Sequence, residues 1–376
     1  MPSLHRHHDA VDLRSDTVTR PTPQMLEAMA CAPLGDDGLD GDPTVRALEE
    51  TAAQRFGKAA GLFVASGTMG NLVAVLAHGR MPGEVLAEAG SHLLNAERAA
   101  AGLTGMHYRS LPGDGGLIAL PALEAALDTS ASARCPSALV AVENTHNARG
   151  GSVAAPESLA ALHALAARHG VPVHTDGARL FNAAVALGLS CREIAAHTDS
   201  VTVCLSKGLS APVGSVLMGP ADFIARARGI RRMLGGTMRQ AGVIAAAGLV
   251  ALEHMVDRLA EDHACARRLH QGLRAIHPAW CAAELPQTNI VQVRVGTSAT
   301  DARLWEARLA EAGVLVRTGS AGLLRLVTHR HIDDEAVDRA LQTFTRLHHD
   351  NWAPREAGRS AGPGYTAHRP LHPPSP

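Results

Sequence analysis

Apolar and polar positions along the chain alternate between short, continuous apolar runs and longer runs with helical spacing. Residues 61–65 read as a strand, and Ser66-Gly67-Thr68 then opens a helical stretch to about His78. Residues 138–142 read as a buried strand. Residues 158–169 carry leucines at 159, 162 and 165, the spacing of one helix face, and Gly170 stops that helix. Residues 171–175 form a strand ending at Asp176, and residues 201–205 another ending at Ser206-Lys207. Strands that are nearly continuously apolar and interleaved with helices predict a mostly parallel sheet covered on both faces.

From about Glu253 the pattern changes. A long charged helix is expected there, followed by strands over residues 290–295 and 323–327. Helical residues 302–312 lie between those strands, and a last helix falls near residues 335–348. The expected fold class is α/β, with a large domain over residues 11–252 and a smaller α+β domain over residues 253–350. Residues 1–10 read as a disordered arm and residues 351–376 as a disordered, proline-rich tail.

Composition narrows the function more than the fold. With 46% apolar and 19% charged residues the chain suits a large packed core. Thirty-five basic against 36 acidic residues leave no basic excess for nucleic acid, and 3% aromatics argue against base stacking. Polar residues interrupt the longest charge-free run, residues 59–79, and the N-terminus has no apolar leader segment. No membrane partner is expected, and the location expected is cytoplasmic. The six cysteines are scattered without a CxxC pair, which reads as reduced, buried thiols, and the histidines show no zinc spacing, so no metal is expected.

One count changes the picture. Only two basic residues are lysine, Lys58 and Lys207. A lysine can act as an amine nucleophile when its pKa is lowered, and an arginine cannot. Lys58 follows Arg55-Phe56-Gly57 and reads as a solvated turn, whereas Lys207 stands at a strand end. Open α/β sheets bind ligands beyond the carboxyl ends of their strands. Ser66-Gly67-Thr68, Asp176 and Lys207 all fall there. The first group offers backbone N–H groups and a helix dipole to a phosphate. A strand-end aspartate and a strand-end lysine suit pyridoxal 5′-phosphate: the lysine forms a Schiff base and the aspartate keeps the pyridine nitrogen protonated.

Several segments now fit one pattern: Asp12-Leu13-Arg14-Ser15-Asp16-Thr17, Gly35-Asp36-Asp37, Glu143-Asn144-Thr145-His146-Asn147, Asp176-Gly177-Ala178-Arg179, Ser206-Lys207-Gly208, Gly236-Thr237-Met238-Arg239 and Arg325-Leu326-Val327-Thr328-His329. Over residues 11–347 the chain resembles the low-specificity L-threonine aldolases, fold-type-I pyridoxal-phosphate enzymes of the β-eliminating lyase grouping. The resemblance implies retro-aldol cleavage of a β-hydroxy-α-amino acid to glycine and an aldehyde. A related carbon–carbon lyase or transaldolase acting on a specialised β-hydroxy amino acid is the alternative.

The resemblance also implies roles. Lys207 would carry the cofactor and Asp176 would pair with its ring nitrogen. Gly67 and Thr68 would bind the phosphate with Ser206 close by, and Arg239 and Arg232 would lie near the phosphate or a subunit interface. His92 would stack on the ring, supported by Glu97. Ser15, Arg179 and Arg325 would hold the substrate carboxylate. The base that takes the β-hydroxyl proton would be His92 or His146. A homotetramer with shared active sites is implied, with the segment around Ser15 crossing a subunit boundary. Leu39, Met69 and Asn95 depart from the family pattern and are expected to flank the cofactor and the substrate entrance.

Overall fold

The computed structural model describes residues 10–79, 82–130 and 135–350. The expectations of a disordered arm and a disordered tail fall, Ala10 apart, outside the described residues.

Seven strands form the main sheet among these residues: β1 (Ala60–Val64), β2 (Glu84–Glu88), β3 (His107–Leu111), β4 (Ser137–Glu143), β5 (Val173–Gly177), β6 (Ser200–Cys204) and β7 (Ser215–Gly219). Their order is β1-β7-β6-β5-β4-β2-β3, and β7 alone runs antiparallel to its neighbours. The buried strands β5, β6 and β7 are covered along their whole length, which explains their unbroken burial.

Helix α1 (Pro43–Phe56) starts on Asp42, whose side chain accepts from the Thr44 and Val45 amides, with Pro43 at the first helical position. It stops at Gly57, which adopts φ +64. Helix α2 (Gly67–His78) follows β1 directly and is capped by Ser66. The expected long charged helix from Glu253 is two helices. Gly242–His254 is nearly all apolar, lacks a polar face and is buried, and a turn separates it from α3 (Leu259–Ile276), which carries the charges.

A three-stranded antiparallel sheet of β8 (Ile290–Arg294), β9 (Arg317–Thr318) and β10 (Leu323–Val327) has its own apolar cluster, including Val291, Leu324, Trp305 and Phe344. Val11 and Leu13 belong to this cluster, and Val11–Asp12 pair in parallel with Val314–Leu315. The N-terminal residues are thereby tied to the C-terminal sheet, and Ser15 and Asp16 are carried across to the edge of the main sheet.

No helix among the described residues is long and apolar enough to cross a membrane. All six cysteines are free, but Cys31 is exposed, so the expectation of buried thiols fails there. Lys58 is not a solvated turn either. Its Nζ donates to the carbonyls of Ala195 (2.8 Å) and Thr198 (2.6 Å), and burial lowers its pKa.

Candidate active site

A cavity of about 300 Å³ opens at the carboxyl ends of β1, β4, β5 and β6. Ser15, Gly67, Thr68, His92, Asp176, Arg179, Ser206, Lys207 and Arg325 all line it. These residues span more than 300 positions of sequence, and the strand ends bring them together.

The N-terminus of α2 forms one wall. The Ser66 Oγ accepts from the Met69 amide at 3.1 Å. A Cβ added to Gly67 would stand 2.7 Å from the Cys204 Sγ, so glycine lets this turn lie against the end of β6. Asp176 stands opposite, 7% exposed. Its Oδ2 accepts from the Asn71 side-chain amide (3.0 Å) and its Oδ1 from the Ala178 backbone (3.1 Å). Burial, and then the nearby Glu143 and Glu97 carboxylates, push its pKa above the usual carboxylate range.

His92 is fixed by Glu97. The ring Nδ1 lies 3.0 Å from the Glu97 Oε1, and the same carboxylate takes the Thr68 hydroxyl at 2.9 Å. An ionised carboxylate can only accept, so Nδ1 carries a proton, and in the neutral ring Nε2 is the nitrogen with the lone pair. The bond to Glu97 raises the His92 pKa. Lys207 sits in the loop after β6, where its carbonyl accepts from the Thr19 hydroxyl at 2.8 Å.

The other end of the cavity is cationic. Arg179 forks onto Asp16, with Nε and Nη2 each 2.7 Å from a carboxylate oxygen, and both partners are buried. Burial works against the Asp16 charge, but the Arg179 guanidinium outweighs it and holds the carboxyl well below its usual range. Arg325 has no such partner: its Nη1 donates to the Asn147 Oδ1 (2.7 Å) and its Nη2 to the Arg14 carbonyl (3.0 Å). Burial, then Arg179 and Arg317, lower its pKa to about 10. Arg317 faces Arg325 in register across β9 and β10 and also lines the cavity.

The segment after β4 ties both ends together. The Glu143 Oε2 accepts from the His92 backbone (2.6 Å) and its Oε1 from the Asn147 backbone (2.8 Å). The Asn147 Oδ1 in turn takes both Arg325 and, at 3.3 Å, Arg179.

Some expected site residues are not brought in. His146 is 1% exposed and does not line the cavity. Its Nε2 is 3.0 Å from the Glu88 Oε2, and Gly116, at φ +101, packs so close that an added Cβ would fall 2.8 Å from the imidazole carbon Cγ. His146 is thus sealed beneath the site, and His92 is the histidine that meets it. Within the chain, Ser15 lines the cavity and Asp16 pairs with Arg179.

Arg232 is exposed, and the Arg239 guanidinium is 69% exposed, 3.7 Å from Asp36; neither lines the cavity. Leu39, Met69 and Asn95 do not line it either. Leu39 is 78% exposed, and the Asn95 amide is spent on the carbonyls of Ala89 and Ser91. Sequence reasoning left Asp16, Asn71, Glu143, Asn147 and Arg317 without roles. Glu143 ends a strand just as Asp176 nearly does, and that position was the available signal.

Comparison with known proteins agrees with this geometry. The family model described as β-eliminating lyase matches residues 12–296. The chain is 42% identical over 342 residues to low-specificity L-threonine aldolase 1 of Arabidopsis thaliana, covering 89% of this chain and 95% of that protein. It is 38% identical over 335 residues to the low-specificity L-threonine aldolase of Escherichia coli K12, covering 87% and 96%. The structure of a threonine aldolase from Leishmania major superposes with a TM-score of 0.77 over 89% of this chain and 99% of that one; at 20% identity this likeness concerns the fold alone. The α/β fold with its mostly parallel sheet is the one expected from the sequence. The chain belongs to the β-eliminating lyase family and, within it, to the low-specificity L-threonine aldolases.

Proposed function

We propose that the protein cleaves L-threonine, L-allo-threonine and other β-hydroxy-α-amino acids to glycine and an aldehyde, with pyridoxal 5′-phosphate held in the cavity. The observation that carries this reading is the meeting of Lys207, buried Asp176, the N-terminus of α2 and the uncompensated Arg325 around one cavity.

The residues present fit that cofactor. Asp176, Glu97 and Glu143 crowd three carboxylates at one end, and burial raises the Asp176 pKa. Asp176 would hold the protonated ring nitrogen of the cofactor, and that positive charge would offset the crowding of carboxylates. The helix N-terminus at Ser66, Gly67 and Thr68, with Ser206 beside it, suits the phosphate. Lys207 is the amine that attaches the group. When bound, the cofactor supplies the sink for the electrons of the breaking Cα–Cβ bond.

The chain's own residues do the rest. Arg325, with Ser15, receives the α-carboxylate, because the Arg179 charge is already met by Asp16 while that of Arg325 is not. Asn147 and the Arg14 carbonyl hold Arg325 in place. The His92 Nε2 takes the β-hydroxyl proton, and Glu97 holds the imidazolium that results.

Loading the protein with pyridoxal 5′-phosphate and supplying a panel of β-hydroxy amino acids is expected to give aldehyde from L-threonine and L-allo-threonine. Absence of aldehyde from every member of the panel sinks the reading. Arg325→Lys replaces a fork by a point charge, so KM for the amino acid is expected to rise about tenfold with a smaller change in kcat. An unchanged KM in steady-state kinetics removes Arg325 from carboxylate binding.

The same reading extends to assembly, location and domain layout. Leu39 and Met233 are exposed apolar side chains (78% and 70%) that a second copy would cover. We assign the protein as a cytoplasmic homotetramer with shared active sites, divided near residue 252 into a large and a small domain. Analytical ultracentrifugation is expected to show the tetramer, and a fully active monomer contradicts it.

A further inference from the structure

The interface between α2 and the sheet is apolar for most of its length, yet a row of polar side chains crosses it. Asn71 and His78 lie seven residues apart on one face of α2. His174 and Asp176 lie two apart on one face of β5, and Ser200 of β6 stands in register beside His174. Asn71, His174 and Ser200 are each 1% exposed or less. The contacts run in series. The His78 Nε2 is 2.7 Å from the Ser200 Oγ, and that oxygen is 2.8 Å from the His174 Nδ1. The His174 Nε2 is 3.2 Å from the Asn71 Oδ1, and the Asn71 Nδ2 is 3.0 Å from the Asp176 Oδ2.

With Asp176 ionised, one arrangement of protons satisfies this row. The Asp176 carboxylate accepts, so the Asn71 amide must present its NH₂ to it and its Oδ1 to His174. His174 must then donate from Nε2, which leaves Nδ1 as an acceptor. The Ser200 hydroxyl must donate to that Nδ1, so its oxygen accepts from the His78 Nε2–H. Burial keeps both rings neutral, lowering His174 to about 3 and His78 to about 4, which removes the alternative of a doubly protonated ring. Every donor in the row points toward Asp176.

Such a row is not needed for packing. Apolar side chains of the same shape fill a helix–sheet interface at similar stability, and a polar network there is tolerated only when each member is satisfied. We propose that His78, Ser200, His174 and Asn71 form a single-direction chain of hydrogen bonds that holds Asp176 as an ionised carboxylate turned to the cavity. His174 and Asn71 are thus positioning residues for the ring nitrogen of a bound cofactor. The last step rests on the reading of the cavity as a pyridoxal-phosphate site; the chain itself does not.

Neutron diffraction from crystals of the perdeuterated protein reads the protons directly. Deuterium is expected on Nε2 of both His78 and His174, with Nδ1 bare; deuterium on the Nδ1 of His174 overturns the chain. Titration with pyridoxal 5′-phosphate then tests its task. His174→Phe is expected to weaken cofactor binding about tenfold, the effect of one lost hydrogen bond to a charged group, passed on through Asn71. His174→Gln keeps a donor toward Asn71 and is expected to restore most of that affinity, which a role in packing alone does not predict. Equal affinity in wild type and a folded His174→Phe overturns the proposal. Where His174→Phe does not fold, Ser200→Ala serves: it frees the His174 tautomer, and unchanged cofactor affinity with deuterium still only on Nε2 overturns the chain. A wild-type protein that binds no pyridoxal 5′-phosphate ends the cofactor reading, while the neutron result still decides the chain.

Discussion

Lys207→Arg is expected to abolish covalent cofactor attachment and turnover together. Borohydride treatment of the loaded wild-type protein is expected to fix the cofactor to the peptide containing Lys207, and the same treatment of the variant to fix none. A guanidinium is not an amine nucleophile at neutral pH. The other lysine cannot substitute, because Lys58 does not line the cavity and its Nζ is bound to the carbonyls of Ala195 and Thr198. Peptide mapping that finds the label on Lys58, or catalysis at the wild-type rate in Lys207→Arg, contradicts the assignment.

Asp16→Asn is expected to have the largest effect on stability. Asp16 is fully buried and forks onto the equally buried Arg179. Removing one partner of such a pair leaves an uncompensated interior charge, at a cost of about 3–5 kcal/mol. The pH dependence has a definite sign. The folded-state pKa of Asp16 is depressed, so its contribution is fully present above the unfolded-state value near ~3.9 and is lost as pH falls below it. Urea unfolding should therefore show a wide gap between wild type and Asp16→Asn at pH 7, and a narrower one at pH 3. Equal unfolding midpoints at pH 7 would falsify the account of this pair. The variant also frees Arg179 to compete with Arg325 for the carboxylate, so a changed KM should accompany the lost stability.

What the sequence showed depended on how each element is buried. β4, β5 and β6 lie inside the sheet and are buried almost throughout; the apolar run of β4 stands out most clearly, while β5 and β6 carry buried His174, Thr175, Ser200 and Thr202 among their apolar positions. β3, at the sheet edge, reads His107-Tyr108-Arg109-Ser110-Leu111 and is half exposed, so it carries no such run. β2 has glutamate at both ends, and one of them, Glu88, is buried only because His146 and Arg149 meet it. The helix Gly242–His254 has no polar face, so its periodicity says little, and the start of the charged helix was read at Glu253 instead of Leu259.

The site divides in the same way. Lys207 was legible through the scarcity of lysine, and Asp176 and Ser66-Gly67-Thr68 through their strand-end positions. Asn71, Glu143, Asn147 and Asp16 work by gripping other residues of the site, and such pairings exist only once the chain is folded. His146 shows the converse: its place in a motif suggested chemistry, and its burial against Glu88 and Gly116 removed it from the cavity.

The products formed from L-threonine test the central claim most directly. In the proposed reading His92, which lines the cavity and is held by Glu97, takes the β-hydroxyl proton at Nε2, so that the Cα–Cβ bond is the one that breaks. Incubation of the loaded protein with L-threonine is predicted to give glycine and acetaldehyde in equal amounts. Release of ammonia and 2-oxobutanoate instead, with no glycine, would mean that the β-hydroxyl leaves rather than the β-carbon, and would contradict the account.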